Sequence, residues 1–263
     1  MTTSWNPEQY LRFAAERARP FDDLLNRVSA ALTSADRIVD LGCGPGNMTA
    51  ALAERFPAAR VVGIDSSPEM IAAAQRYAGD RIGFALGDLR EWRPEEPVDL
   101  IISNAVLQWV PRHTELFEGW LSSLRPGGVL AFQMPVPAST EPIRMVAQRP
   151  QWTARLSSAL SAVGPRGANP VHHPETYVDE LARMGCAVDA WETTYYHVLG
   201  GADPVLEWLR GTGLRPYLDA LADDPAARDA FEAEVRHALR EAYPAQSYGT
   251  VLPFHRIFVV ATT

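Results

Sequence analysis

A glycine-rich loop set between a buried strand and a helix constrains this chain more than any other feature. Arg37-Ile38-Val39-Asp40-Leu41 reads as a short strand, Gly42-Cys43-Gly44-Pro45-Gly46 as a tight loop, and Asn47 to Phe56 as a helix. Glycines at 42, 44 and 46 let the backbone adopt positive φ and come close to a ligand. Strand and helix then keep alternating. Arg60–Asp65 is a second strand, after which Ser66-Ser67-Pro68-Glu69 caps a helix to about Tyr77. Ile82–Leu86 and Val98–Ser103 are strands three and four. A helix near Thr114–Leu124 stops at Arg125-Pro126-Gly127-Gly128, and Val129–Met134 is strand five. Such alternation predicts an α/β fold, a doubly wound and mostly parallel sheet with helices on both faces.

Upstream, Asn6-Pro7-Glu8-Gln9 starts a helix that is expected to end before Pro20, and a second helix runs through Leu24, Leu25 and Val28 to about Leu32. After Met134 the alternation breaks. Strands at Cys186–His197 and Phe254–Ala261 bring the expected sheet to seven. Helices are expected near Gln151–Val163, Pro204–Arg210 and Ala226–Ala242. The expected division is 1–134 for N-terminal helices and the α/β core, 135–250 for a helical cap with substrate-binding insertions and the strand near 186–197, and 251–263 for the closing strand. A chain of 263 residues, 47% apolar, can bury one such core with a cap.

The formal charge is -8 and no short run is dominated by Lys or Arg, so no nucleic-acid partner is expected. No apolar run approaches the length of a membrane span, and the N-terminus has no secretory pattern. Two cysteines, without metal-ligand spacing, fit a reducing cytoplasm and no metal. The sequence leaves the oligomeric state open and is compatible with a monomer.

Asp40 ends the first strand. Beside a pyrophosphate it would repel; beside a cationic sulfonium and amino group it attracts. The dinucleotide motif Gly-x-Gly-x-x-Gly would place its third glycine at position 47, where this chain has Asn47. Asp65, at the end of strand two, stands where an acid accepts hydrogen bonds from ribose hydroxyls. Asp88, after strand three, can meet an adenine amino group. In Ser103-Asn104-Ala105-Val106-Leu107-Gln108-Trp109, Asn104 could hold a methionine moiety, and Trp109 reads as a pocket wall or core residue. Cys43 has no neighbouring base and reads as packing.

The loop from Asp40 to Gly46, with Asp65, Asp88 and Asn104, resembles the class I methyltransferases, whose fold is Rossmann-like. Over nearly the whole chain the sequence is similar to the trans-aconitate methyltransferase family. The segments that carry this are Trp5-Asn6-Pro7 with Tyr10, Glu16-Arg17-Ala18-Arg19-Pro20, Gln108-Trp109, Gln133-Met134-Pro135, Trp191 to His197, Gly211 to Pro216 and Pro253-Phe254-His255-Arg256. The resemblance implies S-adenosyl-L-methionine as cofactor, transfer of its methyl group to one carboxylate of a small polycarboxylate, trans-aconitate, and a cytoplasmic enzyme. The expected cofactor-binding set is Tyr10, Asp40, Gly42, Gly44, Gly46, Asp65, Ser66, Met70, Asp88, Leu89, Asn104 and Gln108. The expected substrate-binding set is Arg17, Arg19, Gln133, Tyr195, Tyr196, His197 and Arg215, because carboxylates need paired donors and cations. A carboxylate of reference pKa near ~4 is already ionised, so no catalytic base is expected. Alternatives are the same fold acting on another small acid or an amine, and a non-catalytic protein that binds the same cofactor. A nicotinamide oxidoreductase is disfavoured by Asp40 and Asn47.

Overall fold

The computed structural model describes residues 14–163 and 171–263. It divides into two compact units, one holding residues 14–135, 171–192 and 256–263, the other 136–163 and 193–255.

The first unit opens with helix α1, Ala14–Ala31. The expected break at Pro20 does not occur; the helix runs through it. Pro20, Phe21, Leu24, Leu25 and Val28 are all buried at helical spacing on one stripe. Burying that continuous stripe offsets the ~3 kcal/mol that an interior proline costs.

Strands β1 (Arg37–Leu41), β2 (Arg60–Asp65), β3 (Ile82–Leu86) and β4 (Val98–Asn104) alternate with helices α2 (Asn47–Arg55), α3 (Pro68–Ala74) and, after β4, α4 (Phe117–Leu121). Strands β5 (Leu124–Pro135), β6 (Ala187–Leu199), β7 (Ala245–Gln246) and β8 (Gly249–Thr262) follow. The sheet order is β3-β2-β1-β4-β5-β8-β6, the seven strands expected, and among the described residues a two-residue ribbon, β7, adds an eighth on β8. Pairings among β1 to β5 are parallel, and β5 meets β8 antiparallel. The order reverses between β1 and β4. Right-handed crossovers running in opposite directions from that point put helices on both faces. Leu100, Ile101, Ile102, Leu130 and Ala131 accordingly have no exposed surface.

Strand β5 starts earlier than expected. Val98 pairs with Leu124 and Leu100 with Val129, so Arg125 to Gly128 form an irregular stretch inside the strand, with Gly127 at φ 76, instead of a helix end. Helix α8 (Pro174–Arg183), which had no sequence expectation, buries Tyr177 and Leu181.

In the second unit, helices α5 (Glu141–Ala147), α6 (Pro150–Thr153), α7 (Ser157–Val163), α9 (Pro204–Arg210), α10 (Arg215–Ala220) and α11 (Pro225–Ala242) surround an aromatic core. Phe231 of α11 lies edge-on to Trp152 at 5.3 Å, and Trp208 edge-on to Phe254 at 5.4 Å.

Candidate cofactor site

The loop after β1 has Gly42, Gly44 and Gly46 at φ 81, 55 and 81. A Cβ on Gly42 would stand 2.3 Å from Val106 Cγ2, and one on Gly46 2.8 Å from Ala74 Cβ, whereas one on Gly44 would meet nothing within 4 Å. Crowding requires glycine at 42 and 46; Gly44 faces open space. The Gly42 and Cys43 amides donate to the Ile64 carbonyl at 2.7 and 3.0 Å, hanging the loop from β2.

Asp40 is 1% exposed and accepts the Thr49 hydroxyl at 2.7 Å on Oδ2. Burial pushes its pKa up to about 7; Thr49 opposes the shift and the Asp65 charge adds to it. Asp65 accepts the Gly44 amide on Oδ2 and the Ser67 amide on Oδ1, both at 2.9 Å. Burial raises its pKa, opposed by the Ser67, Gly44 and Ser66 amides. Asp88 is gripped by the Arg90 guanidinium on both oxygens, which holds its pKa below the usual carboxylate range. The Cys43 thiol is pushed up by burial and by Asp40 and Asp65, the opposite of an activated nucleophile.

Asn104 ends β4 and is in parallel register with Gln133 of β5. Gln133, expected at the acceptor, has no exposed surface: its Nε2 donates to Asn104 Oδ1, and its Oε1 accepts Arg256 Nη1 at 2.7 Å. Both ends of its amide are used inside the protein, so it stands behind Asn104. The next residue, Ala105, has φ 59, and Gln108 donates to its carbonyl at 2.7 Å.

Ser66 is exposed at the turn after β2, while Ser67 caps α3; Met70 and Leu89 are buried beneath the turns after β2 and β3. Tyr10 lies outside the described residues, as does the side chain of Arg17. Arg19 is exposed on α1. In the second unit, Tyr195 and His197 are buried and their rings stack at 6.3 Å. Tyr196 was expected beside them, but strand alternation turns it to the other face of β6, 69% exposed. Arg215 opens α10 with its Nε 3.5 Å from Asp219.

Asp40, Gly42, Cys43, Gly44, Pro45, Asn47, Met48 and Asn104 line one cavity in the first unit. Asp40 Oδ1 and Asn47 Oδ1 are buried there without a hydrogen-bond partner among the described residues. Orphaned acceptors beside two desolvated carboxylates suit a ligand with positive charge and N–H donors, as the ammonium and sulfonium of S-adenosylmethionine provide. Thr49, Arg90 and Arg256 were not foreseen. The only signal for Thr49 is a hydroxyl in the first turn of the helix after Asp40.

A family model described as a methyltransferase domain matches residues 38–128. The trans-aconitate 2-methyltransferase of Streptomyces coelicolor is 52% identical over 98% of this chain and 86% of its own length. That of a Mycobacterium species is 47% identical over 98% of this chain and 99% of its own. The chain belongs to the trans-aconitate 2-methyltransferase family. A Shigella dysenteriae member of the family is 44% identical over 98% of both chains. The fold agrees: a Geobacter sulfurreducens S-adenosylmethionine-dependent methyltransferase, solved with S-adenosyl-L-homocysteine, superposes with TM-score 0.54 at 21% identity, covering 92% of this chain and 91% of that one.

Proposed function

We propose that this chain methylates one carboxylate of trans-aconitate, with S-adenosylmethionine as donor. The observation that carries the donor is the pair of buried, unpartnered acceptors, Asp40 Oδ1 and Asn47 Oδ1, on a glycine-loop cavity. The acceptor rests on the activity named for relatives 44–52% identical over nearly the whole chain. S-adenosylmethionine supplies, when bound, a methyl group on a sulfonium leaving group. Asp40 and Asn47 would hold its amino group, and Asp65 its ribose. Gly44 leaves room for close approach. Leu89, in the turn after β3, would wall the adenine, with Asp88 and its partner Arg90 at the rim.

The acceptor is ionised at neutral pH, so what the chain contributes is alignment and exclusion of water, with no general base. We assign acceptor binding to the segments between residues 135 and 250, which contain Tyr195, His197 and Arg215. The cytoplasm is the proposed compartment, supported by the free thiols Cys43 and Cys186. No helix among the described residues is long and apolar enough to cross a membrane.

The test is incubation with S-adenosylmethionine and a panel of small di- and tricarboxylates, read by mass spectrometry. A trans-aconitate monomethyl ester is expected. Faster turnover of another acid would replace the acceptor, and no ester despite donor binding would remove the activity.

A further inference from the structure

Three polar side chains lie on one face of the sheet within the first unit. Asn104 and Gln133 are in register, Gln133 is in register with Phe258, and Arg256 stands two residues from Phe258 on β8. Arg256 is 4% exposed and Gln133 0%. Hydrogen bonds join Arg256 Nη1 to Gln133 Oε1 at 2.7 Å and Gln133 Nε2 to Asn104 Oδ1. Only Asn104 reaches the cavity.

The chemistry of these groups gives the chain of bonds a direction. A guanidinium donates and never accepts. Gln133 must therefore turn its oxygen to Arg256, which aims its NH2 at Asn104. Asn104 must then turn its oxygen to Gln133, which leaves its own NH2 for the cavity. A buried cation thus sets the orientation of two neutral amides, although nothing in an isolated amide prefers one flip over the other.

The geometry points to Arg256 and Gln133 as positioning residues that present Asn104 Nδ2 as a hydrogen-bond donor to a carboxylate in the cofactor cavity. This rests on the methyl-transfer reading above. Two carboxylates could occupy the place: the one on the donor's methionine moiety and one on the acceptor. The same cavity is also lined by the acceptors Asp40 and Asn47. The cavity would thus be divided by polarity, with acceptors for an ammonium on the β1 side and a donor for a carboxylate on the β4 side.

Gln133→Glu tests the direction of the relay. Its carboxylate still accepts from Arg256 but cannot donate, so Asn104 should turn round and show its oxygen to the cavity. Arg256→Gln removes the group that sets the direction. Calorimetry compares S-adenosyl-L-homocysteine, which has the carboxylate, with 5′-methylthioadenosine, which shares the nucleoside and lacks it. If the donor's carboxylate is the partner, Gln133→Glu weakens the first at least tenfold and leaves the second within twofold. If the acceptor's carboxylate is the partner, both nucleosides bind normally and the acceptor KM rises at least tenfold with kcat retained. Either result supports the relay and names its ligand. Unchanged binding and unchanged KM in a folded Gln133→Glu protein overturn it, and so does a parallel loss of both nucleosides. Should Gln133→Glu not fold, Asn104→Asp presents an acceptor to the cavity directly and is held to the same criteria. A wild-type protein that binds neither nucleoside overturns the proposed function instead.

Discussion

The Thr49 hydroxyl donates to Asp40 Oδ2 at 2.7 Å, joining the first turn of α2 to the end of β1 where neither residue has more than 1% exposure. Burial pushes the Asp40 carboxyl up to about 7, and this hydrogen bond opposes the shift. In the free protein Asp40 is therefore largely neutral below pH 7, and an arriving ammonium favours its charged form. Binding of S-adenosylmethionine should release a proton, and its affinity should fall up to tenfold per unit as pH drops below about 7. Thr49→Val removes a bond worth ~1.5–3 kcal/mol to the charged form and should move that midpoint up by about 1–2 units. Calorimetry in buffers of different ionisation enthalpy reads both quantities. A pH-independent affinity from 5.5 to 8 would remove Asp40 from the site.

Gly44 and Gly46 should separate binding from folding. Gly46→Ala puts a methyl 2.8 Å from Ala74 and 2.9 Å from Phe84 at φ 81, and should destabilise the fold by a few kcal/mol. Gly44→Ala strains one residue at φ 55 but strikes nothing. It should cost ~1 kcal/mol of stability while weakening donor binding more than tenfold, because its methyl stands where the ligand passes. Chemical denaturation and donor titration of both variants check this; equal losses in both measurements would refute the distinction.

Asp65 accepts one backbone amide on each carboxylate oxygen. Asp65→Asn must turn an NH2 against one of those amides. We expect a loss of ~1.5–3 kcal/mol in donor affinity, roughly 10- to 150-fold, with far-UV dichroism unchanged. Calorimetric titration decides, and wild-type affinity would contradict the ribose assignment.

His113 has no exposed surface, and its ring nitrogens face the Val110 carbonyl at 3.3 Å and the Tyr177 hydroxyl at 3.0 Å. Burial lowers its pKa from 6.5 to about 4, the Val110 carbonyl opposes this, and the neighbouring His172 adds to it. The unfolded chain thus binds this proton more readily, so the stability His113 contributes is complete above about pH 6.5 and is lost as pH falls through 4. Asp40 has the opposite sign: its raised pKa favours the folded state at low pH, and that contribution is lost as pH rises from 3.8 through about 7. The two slopes oppose each other in wild type. Denaturant unfolding of His113→Gln and wild type between pH 4.5 and 7 should therefore differ in slope by up to ~1.4 kcal/mol per unit. Parallel curves would show that His113 carries no such linkage.

Most strand boundaries were legible in the sequence because strands covered on both faces read as short apolar runs closed by Gly, Pro or Asp. Asp40, Asp65, Asp88 and Asn104 were legible for the same reason: each ends or follows such a run. What escaped is tertiary. Pro20 reads as a helix stop until the buried stripe on both sides of it is known. Arg256 falls inside the expected strand Phe254–Ala261, and only register brings it to Gln133. The ion pair of Asp88 with Arg90 spans two residues, yet no periodicity announces it. Tyr196 is a hydroxyl donor in sequence like Tyr195, but alternation along a strand places it on the opposite face from Tyr195 and His197.

The Gly44 amide donates to Asp65 and so ties the loop after β1 to the loop after β2 through the chain's own groups. Little chain ordering then remains for binding to accomplish, and the same prearranged surface meets every molecule that shares the nucleoside. Donor and demethylated product share it entirely. The consequence is competition: spent cofactor should occupy the site nearly as well as fresh, so the rate at a given moment would follow the ratio of the two pools and not the donor concentration alone. An organism using this enzyme would depend on whatever activity hydrolyses or recycles the thioether product.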